Sequence, residues 1–344
     1  MTISVHSYHV SERAAERKHS FRVFISTSSF AEYDPEPLRL LHRHGIDYEL
    51  NPYRRRLDSH ELLEFIRDAE GLIAGTEPIN REVLQQAKRL KVISRCGTGL
   101  DNVDLEAAKE LNIVVTNTPT SHIDAVAELT LGAILALIRK IFYADRCIRQ
   151  GEWHKPMGQL LKGSVVGIIG LGKVGRRLVE LLTPFSTTVI AYDPHPDFAF
   201  ASRHQIALCS LEDLLQHADI VTLHLPYSAE VHHLLDRRRL AHMKPGAFLV
   251  NTSRGGIIDE AALYDVLSEG RLAGAYIDTF ETEPYSGPLT RLPHVLLTPH
   301  IGSYAKESRI RMEIEAVENL LAVLKGGHDD ERCDYNGASR EQVH

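Results

Sequence analysis

Short apolar, β-branched runs alternate with amphipathic stretches along most of the chain. Strands are predicted at Arg22–Ser26, Ile46–Leu50, Leu72–Ala74, Lys91–Ser94 and Ile113–Thr116. Helices are predicted between them at Pro35–His44, Ser59–Asp68, Asn80–Ala87 and Asp104–Glu110. Gly45 sits where a left-handed cap would close the first of these helices. Alternation of this kind predicts parallel sheets with helices on both faces. Asn117-Thr118-Pro119-Thr120 breaks the pattern, and one long helix is then expected from Ile123 to Arg149. Its apolar stripe is Ala127, Leu131, Ile134, Leu135, Ile138 and Ile141, and Gly151 ends it. So broad a stripe on so long a helix suggests a linker helix or a subunit contact.

A second series starts at Ser164. Its strands are expected at Val165–Ile169, Thr188–Tyr192, Ile220–His224, Ala247–Asn251, Ala275–Asp278 and Val295–Thr298. Helices are expected near Val174–Leu182, Leu211–His217, Arg237–Met243 and Glu260–Ser268. Ser210 followed by Asp213 resembles a capping box. A last helix, Ser303–Leu324, carries Ile310, Ile314, Val317 and Leu321 on one face and stops at Gly326-Gly327. The expected fold is α/β with two doubly wound parallel-sheet units and a cleft between them, the last helix returning to the first unit. Residues 1–20 and 327–344 lack apolar periodicity and read as disordered tails.

Composition narrows the partners. The 344 residues suit two domains. A net charge of −7 gives no basic face for a phosphate backbone, so nucleic acid is not expected as a main partner. The first twenty residues do not read as a signal peptide, and the apolar run Leu129–Ile138 is too short to span a bilayer, so no membrane is expected. Four cysteines without a CxxC pair read as reduced thiols in a cytoplasmic protein.

Gly170-Leu171-Gly172-Lys173-Val174-Gly175 is a GxGxxG between a predicted strand and a predicted helix. In that context Gly170 permits the tight turn, Gly172 lets a pyrophosphate approach the helix N-terminus, and Gly175 permits close packing. Asp193, at the end of the next strand, suits an adenosine ribose and repels a 2′-phosphate, which favours NAD over NADP. Three further segments end strands: Asn251-Thr252-Ser253-Arg254-Gly255-Gly256, Asp278 to Pro284, and Thr298 to Ser303. Ligands in open α/β sheets bind outside the carboxyl ends of strands. There Arg254 is suited to clamp a carboxylate, and His300 to exchange a hydroxyl proton. A carboxylate partner, Glu283, favours the imidazolium form. No metal is required. On chemistry alone the alternative, three unconnected surface residues, stays open.

At this point residues 22–325 resemble the D-isomer-specific 2-hydroxyacid dehydrogenases, in the phosphoglycerate-dehydrogenase-like branch. The segments that carry the resemblance are Arg95–Asp104, Asn117–Pro119, Val126–Leu129, Gly170–Gly175, Val250–Gly256, Asp278–Pro284 and Thr298–Gly302. The resemblance implies a catalytic His300–Glu283 pair, substrate binding by Arg254, and a substrate-carboxylate loop of Cys96, Gly97, Thr98 and Gly99. It implies NAD contacts at Thr98, Lys173, Val174, Asp193, Leu225, Pro226, Thr252, Ser253, Arg254, Asp278, His300 and Gly302. It further implies a Rossmann-type cofactor domain over 119–299, a flavodoxin-like substrate domain from 21–118 and 300–326, and a homodimer built on the cofactor domain and its long helix.

Two departures stand out. Where animal-type phosphoglycerate enzymes place an Arg after the third strand, this chain has Gly75-Thr76-Glu77. Arg54-Arg55-Arg56 is the nearest substitute for a phosphate clamp, and it reads better as a solvated loop. The sequence also carries no stretch for a C-terminal regulatory domain, so serine feedback through one is not expected. Cys96 reads as a loop-packing residue, since hydride transfer needs no thiol. The expected function is interconversion of a D-2-hydroxy acid and its 2-oxo acid by hydride transfer with NAD. The alternatives are an NAD(H)-sensing co-regulator of the same fold and an oxyanion dehydrogenase of the phosphite type.

Overall fold

The computed structural model describes residues 20–326, so the two expected tails lie outside the described residues except Ser20. The chain divides into two compact units. The first holds the residues up to Cys96, Asn102–Asn117 and those from Glu313. The second holds Gly97–Asp101 and Thr118–Met312.

In the first unit β1 (Arg22–Ile25), α1 (Glu36–Arg43), β2 (Asp47–Leu50), α2 (Ser59–Ile66), β3 (Gly71–Ala74), α3 (Arg81–Gln86), β4 (Val92–Arg95), α4 (Leu105–Glu110) and β5 (Val114–Thr116) alternate. The five strands are parallel in the order β2-β1-β3-β4-β5. This is the flavodoxin-like order. Strands β3 and β4 are buried throughout, as expected of central parallel strands. Phe24, Leu62, Ile66, Leu72, Ile79, Leu84 and Ile93 form the core of one face. Helix α2 starts at a true capping box, which the sequence reading overlooked. The Asp58 side chain accepts from the Glu61 amide, and Glu61 returns the bond to the Asp58 amide.

The second unit runs α5 (Ile123–Ile138), α6 (Ile141–Arg149), β6 (Val165–Ile169), α7 (Lys173–Leu182), β7 (Thr188–Tyr192), α8 (Phe198–Arg203), β8 (Ala207–Leu208), α9 (Leu211–His217), β9 (Ile220–Leu223), α10 (Arg237–His242), β10 (Phe248–Asn251), α11 (Glu260–Ser268), β11 (Gly274–Ile277), β12 (Val295–Leu297) and α12 (Lys306–Leu324). Its seven parallel strands lie in the order β12-β11-β10-β9-β6-β7-β8. That is the Rossmann arrangement with one strand added, and its direction of winding reverses between β6 and β9. Apolar clusters cover both faces of the sheet, one around Leu214, Leu223, Leu249 and Leu263, the other around Ile134, Ile168, Leu178 and Tyr276. The fold class is therefore α/β with two doubly wound parallel sheets.

The structure departs from the sequence expectation in three places. The long helix is two helices, because Lys140 adopts a left-handed conformation (φ 53°) and the Ile138 carbonyl accepts from the Gln159 amide instead of continuing the ladder. Helix α8 and the two-residue strand β8 were not anticipated; α8 starts on the Asp197 side chain, which accepts from the Phe200 amide. Finally, the unit boundaries move. Residues 97–101 belong to the second unit, where the Gly97 carbonyl accepts from the Thr118 amide and Asp101 pairs with Arg254. The chain stays in that unit until Met312, because the amides after Thr298 are tied to Asp278, and only the later part of α12 joins the first unit. There the Ala316 carbonyl accepts from the Ser94 hydroxyl (2.7 Å), and Leu320 packs where a side chain on Gly71 would stand.

Candidate active site

The carboxyl ends of β6 and β9 meet at the reversal of strand order. Gly170 has φ 98°, and a Cβ there would lie 2.8 Å from the His224 backbone, so the turn requires glycine. Leu225 and Pro226 follow His224 at the same end. Gly175 is equally constrained, since a Cβ would strike the Gly170 carbonyl. Gly172 differs: it is exposed, and a Cβ would meet nothing within 4 Å. The open space lies directly before α7, whose first residues are Lys173 and Val174 and whose N-terminus has no side-chain cap. Free N–H groups, a cation and room at a glycine fit the pyrophosphate of a dinucleotide. Asp193 ends β7 beside this turn. Its carboxylate accepts from the Leu171 amide (2.6 Å) and the His195 amide (2.7 Å). The residues present therefore fit NAD.

Beyond β10 the Asn251 side chain shapes the next turn. Its oxygen accepts from the Ser253 amide and hydroxyl, and its nitrogen donates to the Arg254 carbonyl (2.9 Å). Thr252 shares a hydroxyl hydrogen bond with Thr130 (2.8 Å). A Cβ on Gly255 would collide with the Phe280 backbone, so glycine lets this turn lie directly against the segment after β11. That segment carries Glu283, whose carboxylate accepts from the Phe280 amide (3.1 Å). Both Glu283 oxygens stand 3.1 Å from His300 Nδ1. His300 itself has a left-handed backbone (φ 55°) and donates its amide to the Asp278 carbonyl (2.8 Å). A non-glycine residue held in that region is costly and marks a constrained position.

Asp278, fully buried, holds the loop that follows. Its carboxylate accepts from the Thr298 hydroxyl (2.5 Å) and from the Ile301 and Gly302 amides (2.8 Å each). Gly302 approaches it so closely that a Cβ would lie 3.2 Å from the carboxylate.

The Arg254 guanidinium reaches Asp101 through Nε (2.9 Å) and the Ser253 carbonyl through Nη1 (2.7 Å). It lies against Gly99, with no space for a side chain there. Thr98 donates to the Thr118 carbonyl (3.1 Å), and its hydroxyl oxygen is 2.8 Å from His122 Nδ1. The structure thus brings Thr98, Gly99 and Arg254 together, and Glu283 with His300. Cys96 is buried in the first unit.

The sequence reading missed three groups. Asp101 is the carboxylate partner of Arg254; it was visible only as part of a matching block. His122 is pushed down to about 4, by burial first and then by the Arg254 and Lys173 charges. Glu260 is pushed up, chiefly by burial and then by the neighbouring Glu281 and Glu283 charges, while it accepts from the Glu281 amide (2.8 Å). No sequence period distinguishes such groups from ordinary polar residues.

A dinucleotide turn, a His–carboxylate pair and an arginine at the strand ends of one sheet are the equipment of a nicotinamide-dependent dehydrogenase. Comparison with known proteins agrees. The family model described as D-isomer specific 2-hydroxyacid dehydrogenase, NAD binding domain, matches residues 131–302. A glyoxylate reductase of Thermofilum pendens is 42% identical over 276 residues, covering 77% of this chain and 81% of its own. A D-3-phosphoglycerate dehydrogenase of Methanocaldococcus jannaschii is 40% identical over 276 residues, covering 78% of this chain. The chain spans about half the length of that enzyme (52%). A solved structure from Thermus thermophilus superposes with a TM-score of 0.80 at 38% identity, covering 89% of this chain and 97% of its own.

The chain belongs to the D-isomer specific 2-hydroxyacid dehydrogenases. It is an NAD-dependent oxidoreductase that interconverts 2-hydroxy and 2-oxo acids.

Proposed function

We propose that this enzyme reduces a small, unphosphorylated 2-oxo acid, of the glyoxylate or hydroxypyruvate class, to its D-2-hydroxy acid. The observation that carries the reading is the His300–Glu283 pair at 3.1 Å. Bound NADH supplies the hydride. Arg254 exchanges Asp101 for the substrate carboxylate and grips it with its planar fork. His300, oriented through Nδ1 by Glu283, delivers a proton from Nε2 to the nascent alkoxide. Thr98 and Gly99 line the carboxylate end, and the Gly170–Gly175 turn, Asp193, Leu225, Pro226, Thr252, Ser253 and Gly302 hold the dinucleotide. Asp278 acts by fixing the loop that presents His300 and Gly302.

The substrate class is supported by the loop after β3. Glu77 is buried there, and its carboxylate accepts from the Gly75 amide (3.0 Å) and the Ser26 hydroxyl. The loop Gly75-Thr76-Glu77 carries no arginine, the residue suited to clamp a phosphate dianion. Arg55 is already engaged by Glu61. The test is an NADH-oxidation screen over glyoxylate, hydroxypyruvate, pyruvate and phosphohydroxypyruvate. A kcat/KM for phosphohydroxypyruvate tenfold above the others would overturn the substrate class.

The same reading includes a homodimer. Ile141 and Ile148 on α6, with Trp153, Met157 and Leu160 after it, expose large apolar side chains, Trp153 at 83%. So many exposed large apolar side chains within twenty residues support a subunit contact. Light scattering at twice the chain mass is the expected result. A cytoplasmic location fits the thiols of Cys147 and Cys209, and among the described residues no helix is long and apolar enough to cross a membrane.

A further inference from the structure

One ring nitrogen each from His232 and His233 and one carboxylate oxygen of Glu281 lie within 4.8 Å of one another. We propose that these three side chains form a binding site for a divalent transition ion of the zinc class, separate from the hydride chemistry. Tetrahedral zinc with bonds near 2.1 Å separates its donors by about 3.4 Å. His233 Nε2 and the Glu281 carboxylate already stand 3.4 Å apart. The exposed His232 ring completes the set by turning about its side-chain bonds, and solvent supplies the remaining ligand. Two imidazoles and a carboxylate are the donor set that zinc accepts and that magnesium or calcium does not favour.

Three features of the backbone build this arrangement. His233 has a left-handed conformation (φ 49°), an uncommon one for a side chain-bearing residue, and its amide donates to the Gly256 carbonyl (2.7 Å). The two imidazole rings stack with centroids 3.9 Å apart, and ligating one ion requires His232 to turn out of that stack, because an imidazole binds metal in its ring plane. Gly256 leaves room for the Tyr227 ring, whose hydroxyl is 3.2 Å from His232 Nδ1 and orients that ring from behind. Glu281 is fixed from its own backbone, where its amide donates to Glu260. The donors therefore come from two segments: 232–233, anchored on the Gly256 carbonyl, and the segment after β11. An ion here ties the two segments together and stabilises the folded chain by mass action.

The test uses the untagged, EDTA-treated protein. Zinc sulfate is titrated by calorimetry, and the melting temperature is followed with and without the ion. The expected result is one site with a micromolar dissociation constant and a melting temperature raised by zinc. Affinity at this site should fall at least tenfold in His233→Gln and in Glu281→Gln, with the zinc-induced rise in melting temperature lost. Melting of each variant in EDTA reports its folding independently. Magnesium should produce neither effect. Zinc affinity and the thermal shift unchanged in both folded variants, or no binding at 100-fold excess of zinc over protein, would overturn the proposal.

Discussion

Gly99→Ala tests the placement of Arg254 without touching a polar group. The built Cβ stands 2.8 Å from the Asp101 carboxylate and still nearer to Arg254 Nη2. Non-bonded heavy atoms settle near 3.5 Å, so the guanidinium must retreat by about 1 Å. Its neighbours there are the flexible ends of side chains, so folding should tolerate the change, and the melting temperature should fall by no more than about 2 °C. The fork, however, then meets the substrate carboxylate out of register. A displacement near 1 Å in a positioning group costs roughly 10²-fold, and one lost charge-assisted hydrogen bond costs about 1.5–3 kcal/mol. We predict a 10- to 100-fold fall in kcat/KM for the 2-oxo acid, with the NADH dissociation constant within threefold of wild type. The assay is steady-state NADH oxidation, with NADH affinity from fluorescence titration. Unchanged kcat/KM in a folded variant refutes the placement of Arg254 at the carboxylate, as does an equal loss of NADH affinity.

Two more predictions follow from the cofactor side and from pH. Asp193→Ala should lower kcat/KM with NADH at least tenfold and raise it with NADPH, because the carboxylate that ends β7 no longer repels a 2′-phosphate; steady-state rates with both cofactors check this. His122, held at about 4 against an ordinary 6.5, is neutral in the folded chain at pH values where the unfolded chain takes up a proton. Stability should therefore fall as pH drops from about 6.5 towards 4, by an amount on the order of 2–3 kcal/mol, and His122→Gln should flatten that part of the curve in urea melts.

The pattern of apolar runs was enough for the strands and for most helices, because buried parallel strands and amphipathic helices write their period directly into the chain. Strand β8, two residues long, leaves no such period. The break at Lys140 was hidden because the stripe from Ala127 to Ile141 continues across it, and only the left-handed backbone divides the helix. In the candidate site, the glycine turn and the acid after the next strand stood out by their spacing, and the structure sets Asp193 against the Leu171 amide of that turn. Arg254, Glu283 and His300 stood out by residue type, yet only strand order brings the ends of β10, β11 and β12 side by side. His122 and Glu260 escaped notice because what distinguishes them is partial burial beside charged neighbours, and Asp101 because its partner is far along the chain, 153 residues away at Arg254. The grouping of residues 97–101 with the second compact unit was not legible for the same reason, since the bonds that hold them run to Thr118 and Arg254.

The central claim is that His300, oriented by Glu283, supplies the proton as hydride arrives. Single-turnover reduction of glyoxylate by prebound NADH in wild type, His300→Ala and Glu283→Gln measures it most directly. The expected result is a rate lowered about 10²–10⁴-fold in His300→Ala and at least tenfold in Glu283→Gln, with NADH binding within threefold of wild type in both. Reduction in His300→Ala within tenfold of wild type, with NADH bound equally well, would contradict the mechanism.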